Sequence, residues 1–448
     1  MQLGNSRFMW QVPIIFRHYI GLLPDRINPL IGNAFTHQKS IINAFERWNG
    51  EQQQQFVFRN IKQNVELAYS KIPFYREYYD KNGFSPLILN SFDDIQRIPI
   101  INKSILLEYP IEQRYCSIEG AVKVNTGGSS GHTLAFYIDT IAKKYHEDIH
   151  MTTIWEKIGY KNSDLKLVLN GRNSIKNGLD YCFNGNSIGM DAYKELSQLS
   201  PKLKEIAKSA PIRFLHGYPS TIYEFALYCD EMDQELRDIL RKSLKGAFLG
   251  SEYPHPMFRD KIESIFGINT VNWYGHTEGA VLAYEKNEKY KYYPFQTYGF
   301  AEVTEKGHLM ATTFYDKAFP FIRYDTEDTI SDAEVKNGFL ISFGIKNGRS
   351  GEYIVDKNGK KISLTGLIFG RHHKLFDYCT HIQMCQKEIG KVIVLYVPKD
   401  KCIELNPNLL FDSGNIEMEF TFKCITSPIK TNSSKLNLLI KPEQLVAK

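Results

Sequence analysis

The 448-residue chain predicts an α/β protein with a large N-terminal domain, in which mostly parallel strands are joined by crossover helices, and a small α+β C-terminal domain. Three observations predict it. Between residues 141 and 274 short apolar runs alternate with stretches of helical periodicity, the pattern of strands that run parallel by crossing over through helices. From residue 290 the character changes to short strands and turns, which makes a strand-rich subdomain. The length exceeds one ordinary domain, and a boundary near Gly348–Gly351 divides the chain into domains of 1–348 and 349–448.

Residues 38–84 read as largely helical, because Phe56, Ile61, Val65, Leu67 and Ala68 recur at helical spacing; Pro73 ends the pattern. Val122 and Val124 on one side, and Leu134-Ala135-Phe136-Tyr137 on the other, read as strands around a Gly/Ser/Thr loop. Residues 141–160 are helical, and Leu165-Lys166-Leu167-Val168-Leu169 is a buried strand closed by the turn signal Asn170-Gly171. Helices at 196–209, 219–245 (one or two) and 254–266 then alternate with strands at 212–216, 246–249 and 270–274. Past residue 290, Tyr292-Tyr293, residues 301–303 and residues 309–313 are short strands. In the last block Lys357-Asn358-Gly359-Lys360 predicts a hairpin with a type I′ turn, and residues 392–397 form the clearest strand.

Composition excludes several classes. Hydrophobic residues at 43% and charged residues at 23% describe a soluble globular chain and not a disordered one. A net charge of +5 is small for this length and the lysines are scattered, so nucleic acid is not expected as a partner. Seven dispersed cysteines without a C-x-x-C pair point to a reducing cytoplasm and against a structural zinc site. The run Trp10-Gln11-Val12-Pro13-Ile14-Ile15-Phe16 is too short to span a bilayer, is broken by a proline and lacks a cleavage site, so it is not a signal peptide. It reads as a strap packed on the body or, since Arg7, Arg17 and Arg26 flank it, as a contact with a membrane surface.

The loop Thr126-Gly127-Gly128-Ser129-Ser130-Gly131-His132-Thr133 can bring several backbone N–H groups and hydroxyls to one point, as polyphosphate requires. It fails the Walker count, with Thr126 where the first glycine belongs and His132 where the lysine belongs. A plain Gly/Ser turn is the competing reading. Three later segments follow it in order: Tyr274-Gly275-His276-Thr277-Glu278-Gly279, Pro320-Phe321-Ile322-Arg323-Tyr324-Asp325-Thr326-Glu327-Asp328, and Gly348-Arg349-Ser350-Gly351-Glu352-Tyr353-Ile354. The ordered set resembles the adenylate-forming superfamily of acyl-CoA synthetases and adenylation domains. It is most similar to the phenylacetate–CoA ligase-like branch that includes CapK-type capsular polysaccharide biosynthesis proteins. Residues 68–76, Ser91-Phe92-Asp93-Asp94-Ile95, residues 98–103 and His216-Gly217-Tyr218-Pro219-Ser220 also fit that branch, so the resemblance runs from about residue 55 to the C-terminus.

The resemblance implies an ATP-dependent ligase that activates a carboxylic acid as an acyl-AMP. The acyl group then passes to CoA, a carrier thiol or an amine on a sugar, in bacterial capsule or O-antigen synthesis. By the same resemblance Thr126, Gly127, Gly128, Ser129, Ser130 and Gly131 cradle the β- and γ-phosphates of ATP. Glu278 holds Mg²⁺ near the α-phosphate, Thr277 donates to that phosphate, Tyr274 lies against the adenine, and Glu252 lines the adenine pocket. Asp328 accepts from both ribose hydroxyls, Arg349 contacts ribose or phosphate at a hinge, and Lys435 reaches the α-phosphate and the acyl carboxylate. Tyr218, Trp273 and His276 contribute to the carboxylate pocket. Four positions depart from the family pattern: His132 for lysine, Glu327 for glycine, Gly351 for the hinge aspartate and Ser434 for glycine. A left-handed turn at Glu327 would be strained. Solvated surface roles for Glu278, Asp328 and Lys435 compete with the catalytic ones, and at the level of the molecule so does a non-catalytic nucleotide-binding protein of the same fold. Residues 281–300 contain no cysteine, so no metal site is expected there.

Overall fold

The computed structural model describes residues 7–24, 27–29, 33–125, 134–169, 175, 178–191, 194–345, 353–359, 361–368, 373–400, 405–414, 416–430 and 437–445. The chain divides between Lys346 and Asn347 into two compact units.

The helices of the larger unit are α1 (Arg7–Gly21), α2 (Asn33–Phe45), α3 (Gly50–Lys71), α4 (Pro73–Lys81), α5 (Lys103–Leu107), α6 (Thr140–Glu156), α7 (Leu196–Ser209), α8 (Pro219–Glu231), α9 (Gln234–Arg241) and α10 (Pro256–Phe266). Its strands begin with the ribbon β1 (Ala121–Asn125) and β2 (Ala135–Asp139), which flanks residues 126–133. They continue with β3 (Leu165–Leu169), β4 (Leu179–Cys182), β5 (Ser187–Met190), β6 (Ile212–Gly217), β7 (Gly246–Leu249) and β8 (Asn269–Gly275). The last are β9 (Leu282–Glu285), β10 (Lys291–Pro294), β11 (Gly299–Val303), β12 (His308–Thr313), β13 (Tyr324–Lys336) and β14 (Phe339–Ile345). All but the ribbon form one sheet of twelve strands, in the order β11-β12-β13-β14-β10-β9-β8-β7-β6-β3-β5-β4.

One stretch of this sheet is parallel. Strands β5, β3, β6, β7 and β8 pair parallel to their neighbours. On one face Leu165, Leu167, Leu169, Leu215 and Ala247 pack against residues of α7, α8 and α10. On the other, Phe214, Phe248 and Val271 meet Ile149 and Ile154 of α6 and Ile42 of α2. Burial on both faces is why these strands read as continuous apolar runs. Helix α10 stops at Gly267, whose φ of +68° forms a left-handed cap that returns its N–H to Glu263.

The direction changes at β8, which pairs parallel with β7 and antiparallel with β9. Every pair from there to β11 is antiparallel, so the strand-rich stretch expected after residue 290 continues the same sheet. Helix α3 buries Val57, Ile61, Val65 and Ala68 in the core of this part, beside Phe300, Leu309 and Phe321. Asn49 opens α3 through a capping box with Gln52. As expected, the helical pattern breaks at Pro73: α3 stops at Lys71, and Pro73 then opens α4 in its first turn, where a missing N–H costs nothing. Ile72 serves as the C-cap of α3 and the N-cap of α4.

Several elements were not expected from the sequence, among them α1, the β4–β5 hairpin and β13. Helix α1 runs through Pro13. The hairpin β4–β5 adds an antiparallel edge to the parallel stretch. Strand β13 extends far beyond the short strands anticipated, because its outer half is exposed and polar.

The smaller unit contains the hairpin β15 (Tyr353–Val355) and β16 (Lys361–Ser363), α11 (Leu364–Ile368), β17 (Cys379–Glu388), β18 (Lys391–Pro398), α12 (Pro407–Leu410) and β19 (Glu419–Cys424). Strand β18 lies between antiparallel β17 and parallel β19. The hairpin at Asn358-Gly359 forms, but not with a type I′ turn. Only Gly359 has positive φ (+79°), while Asp356 closes the turn by accepting from the N–H groups of Asn358 and Gly359. The turn signal Asn170-Gly171 and the boundary residues Gly348–Gly351 lie outside the described residues. Among the described residues six cysteines are free thiols, and no helix is long and apolar enough to cross a membrane.

Candidate active site

The carboxyl ends of β6, β7 and β8 lie side by side, the place where open α/β sheets present ligand-binding loops. After β6, Tyr218 leads into α8, with Pro219 at its first position. After β7 comes Gly250-Ser251-Glu252, turned by Ser251 at φ +67°. Glu252 accepts from the Ser220 N–H at 3.3 Å, which sets a carboxylate at the positive end of α8. A Cβ on residue 250 would lie 2.2 Å from the Trp273 ring, so glycine is required there for the tryptophan to seat. Trp273 meets His216 at 5.5 Å, and His216 meets Trp155 at 5.2 Å, forming an aromatic floor. The buried Trp155 Nε1 and Ser220 Oγ have no hydrogen-bond partner among the described residues, which marks them as groups that water or a ligand must satisfy.

After β8, His276-Thr277-Glu278-Gly279 forms a turn, closed by the Gly279 N–H on the His276 carbonyl at 3.0 Å. His276 Nδ1 lies 3.1 Å from Glu278 Oε2, with both side chains largely buried. The other nitrogen, Nε2, is buried without a partner among the described residues. Thr277 is exposed at the tip.

The third component comes from β13. Pairing with β12 is interrupted so that His308 faces Thr329 and Met310 faces Asp325, which leaves Thr326-Glu327-Asp328 opposite Leu309 alone. Thr326 Oγ1 donates to the Leu309 carbonyl at 2.7 Å and accepts from the Asp328 N–H at 3.2 Å, while the Glu327 N–H bonds Asp325 Oδ1 at 2.8 Å. Glu327 sits at φ +61°, the strained left-handed conformation foreseen if glycine were replaced here. The excursion delivers Asp328 to Tyr274, whose hydroxyl donates to Asp328 Oδ2. The Tyr274 ring is held edge-on to Phe343 at 5.8 Å and to His276 at 6.0 Å.

Tyr324 marks where these acids converge. Its burial raises the hydroxyl pKa, and Glu278, Glu327, Asp328 and Asp325 raise it further. A polyphosphate approaching four carboxylates needs cations to accompany it.

No protein-family model matches the chain. CapK of Staphylococcus aureus is 21% identical over 429 residues, covering 91% of this chain and 92% of its own. A phenylacetate–coenzyme A ligase of Aromatoleum evansii is 24% identical over 309 residues, covering 64% of this chain and 68% of its own. The crystal structure of a 2-hydroxyisobutyryl-CoA ligase, in the postadenylation state with its acyl-AMP, superposes with a TM-score of 0.64 at 16% identity, over 88% of this chain and 90% of that one. The chain is similar in sequence to CapK over most of its length and shares the fold of this adenylate-forming ligase.

Of the residues the family pattern singles out, Tyr274 and Asp328 meet directly, and Glu278 joins them around Tyr324. Glu252 and Tyr218 stand at the start of α8, Trp273 packs on His216, and His276 pairs with Glu278. The loop Thr126–Thr133, which contains Gly127, Gly128, Ser129, Ser130, Gly131 and His132, lies outside the described residues, as do Arg349, Gly351, Ser434 and Lys435.

Sequence reasoning missed the brace behind the site. Buried Arg323, itself at φ +44°, donates to the carbonyls of Gln96 and Ile98 at 2.8 and 2.9 Å and to Glu302 at 3.3 Å. Ile101 exchanges backbone hydrogen bonds with Arg323 and Asp325, and the Tyr75 hydroxyl donates to the Pro320 carbonyl at 2.6 Å. The family segments near residues 68–76 and 98–103 therefore hold the strand that carries Asp328. An arginine inside the apolar run Pro320-Phe321-Ile322-Arg323 was the available signal.

Proposed function

We propose that the protein is an ATP-dependent, AMP-forming ligase that activates a carboxylic acid and transfers its acyl group to CoA, a carrier thiol or an amine. The observation that carries this reading is the Tyr274–Asp328 hydrogen bond. It joins an aromatic face suited to adenine to a carboxylate suited to a vicinal diol, from motifs 54 residues apart in sequence. A carboxylate has acceptors enough for both ribose hydroxyls while one oxygen remains fixed by Tyr274.

In the first step a carboxylate oxygen of the acid attacks the α-phosphorus of ATP, the bond from that phosphorus to the bridging oxygen of the β-phosphate breaks, and pyrophosphate leaves. Two anions must meet in line, so positioning and charge neutralisation supply most of the acceleration. Thr277, exposed at the turn, carries a hydroxyl that can donate to an α-phosphate oxygen. No group of three His, Cys, Asp or Glu side chains among the described residues could hold a metal ion. Glu278 would hold Mg²⁺ through its carboxylate if the ion arrives with the nucleotide. When bound, the ion would offset phosphate charge. Backbone N–H groups of residues 126–131, Arg349 and Lys435 are assigned the rest of the phosphate contacts on the family pattern. In the second step the acceptor thiol or amine attacks the acyl carbonyl, loses its proton, and AMP departs.

Similarity to CapK over 91% of the chain favours a setting in bacterial capsule or O-antigen assembly at the cytoplasmic side, with an amine on a sugar as one acceptor. Pyrophosphate release from ATP, measured over a panel of carboxylic acids, tests the ligase reading. Acid-dependent release with at least one acid is expected; tight ATP binding with no release for any acid would point to a non-catalytic nucleotide-binding protein.

A further inference from the structure

Lys166, on β3, is only 5% exposed, and among the described residues no carboxylate forms an ion pair with its ammonium. That group has three protons to donate and accepts nothing. The Tyr160 hydroxyl accepts one at 2.9 Å, and the other neighbours are aromatic faces, the Trp155 ring centre at 4.4 Å and that of Tyr160 at 4.6 Å. Asp148 of α6, Cys182 of β4 and Asp164, itself paired with Lys245, act on the ammonium only through space. Arg17 of α1 is the other cation nearby, and it is held by the carbonyls of Phe183 and Asn162 at 3.1 and 3.0 Å. Burial, and then Arg17, lower the Lys166 pKa to about 7.

A second unsatisfied donor stands beside this cation. Trp155 Nε1 is buried without a partner among the described residues, and an indole N–H can only donate. The Trp155 ring also joins Lys166 to the candidate site, because it meets His216, which meets Trp273. Lys166 pairs in register with Phe214, and Val168 with His216. The lysine therefore starts one side-chain layer, about 7 Å, below His216 on the face of the sheet that α6 covers. An apolar acyl chain ending here would leave both donors buried and unsatisfied. A phosphate would bring a second negative charge that one ammonium does not match. A carboxylate brings one charge and two acceptor oxygens, one for each donor. We propose that Lys166 and Trp155 receive the far carboxylate of the acid, so that the protein activates one end of a dicarboxylic acid. The proposal rests on the ligase reading above and names its substrate class.

Pyrophosphate release and calorimetry test this, using malonic, succinic, glutaric, adipic and terephthalic acids beside the monocarboxylic acid of matching length. Wild type should use at least one dicarboxylic acid with a kcat/KM at least about tenfold above that of its monocarboxylic partner, the scale of a hydrogen bond to a charged group. Lys166→Met should lose that ratio. Trp155→Phe, which keeps a ring and deletes the N–H, should reduce it. A bound carboxylate raises the Lys166 pKa from about 7, so above that pH the complex takes up a proton. Calorimetry in two buffers of different ionisation enthalpy should show the uptake with the dicarboxylic acid in wild type and not in Lys166→Met. No preference in wild type, an equal ratio in both folded variants, or binding without proton uptake would overturn the proposal. If no acid releases pyrophosphate while the uptake persists, the ligase reading fails and the carboxylate site stands.

Discussion

Asp328 reaches its position through the Thr326-Glu327-Asp328 excursion, and that local geometry can be tested separately from the chemistry. Asp328→Ala should weaken ATP and AMP alike by about 1–3 kcal/mol, the scale of lost hydrogen bonds to a charged acceptor, and leave pyrophosphate affinity unchanged. Calorimetry with the three ligands checks this, and equal ATP affinity in the variant would remove Asp328 from the ribose. The neighbouring Glu327 has the left-handed backbone at φ +61°, which costs a residue with a Cβ about 1–2 kcal/mol. Glu327→Gly removes that strain, while the more flexible unfolded chain returns about 0.4–1 kcal/mol of the gain. It also takes one carboxylate from the group around Tyr324. The larger unit of this variant should therefore unfold at a higher temperature than wild type, by calorimetry.

At the scale of elements, α6 makes the larger unit sensitive to acid. His150 is buried, with Nδ1 2.7 Å from the His146 carbonyl and Nε2 2.9 Å from Thr297 Oγ1. Burial lowers its pKa to about 3, and burial lowers that of His146, stacked on Tyr315, to about 4. Both rings stay neutral in the fold, whereas in the unfolded chain they take up protons below about pH 6.5. The stability that follows is fully present above that pH and is lost as pH falls from about 6.5 toward 4. Thermal midpoints across this range should drop steeply in wild type and less steeply in His150→Gln, which keeps an amide for hydrogen bonding and cannot titrate there. The elements differed in how far sequence revealed them. Strand β3 and helix α7 match the expected ranges, 165–169 and 196–209, because a strand buried on both faces and a helix covering it leave strong periodic signals. Helix α1 was hidden by Pro13, and the outer half of β13 by polar residues on both faces. The turn at Gly359 was misjudged in type because Asp356 supplies hydrogen bonds that the dipeptide alone does not reveal. In the candidate site, the motifs marked Tyr274, Glu278 and Asp328, but their meeting depends on the β12–β13 irregularity, which is a property of pairing and not of either strand's sequence.

At the scale of the molecule, the twelve-stranded sheet changes from parallel to antiparallel at β8, and the proposed nucleotide site stands beside that change. The parallel stretch contributes Glu252 and the floor of Trp273 and His216; the antiparallel stretch contributes Asp328. A net charge of +5 coexists with a cluster of carboxylates around Tyr324, so a nucleotide bound there needs cations to accompany it. In the proposed reaction the acid attacks phosphorus at the α position. A turnover assay with an accepted acid labelled with ¹⁸O in its carboxylate tests this most directly. The account predicts one ¹⁸O in the AMP released after acyl transfer and none in pyrophosphate; label in inorganic phosphate or pyrophosphate, with unlabelled AMP or ADP, would contradict it.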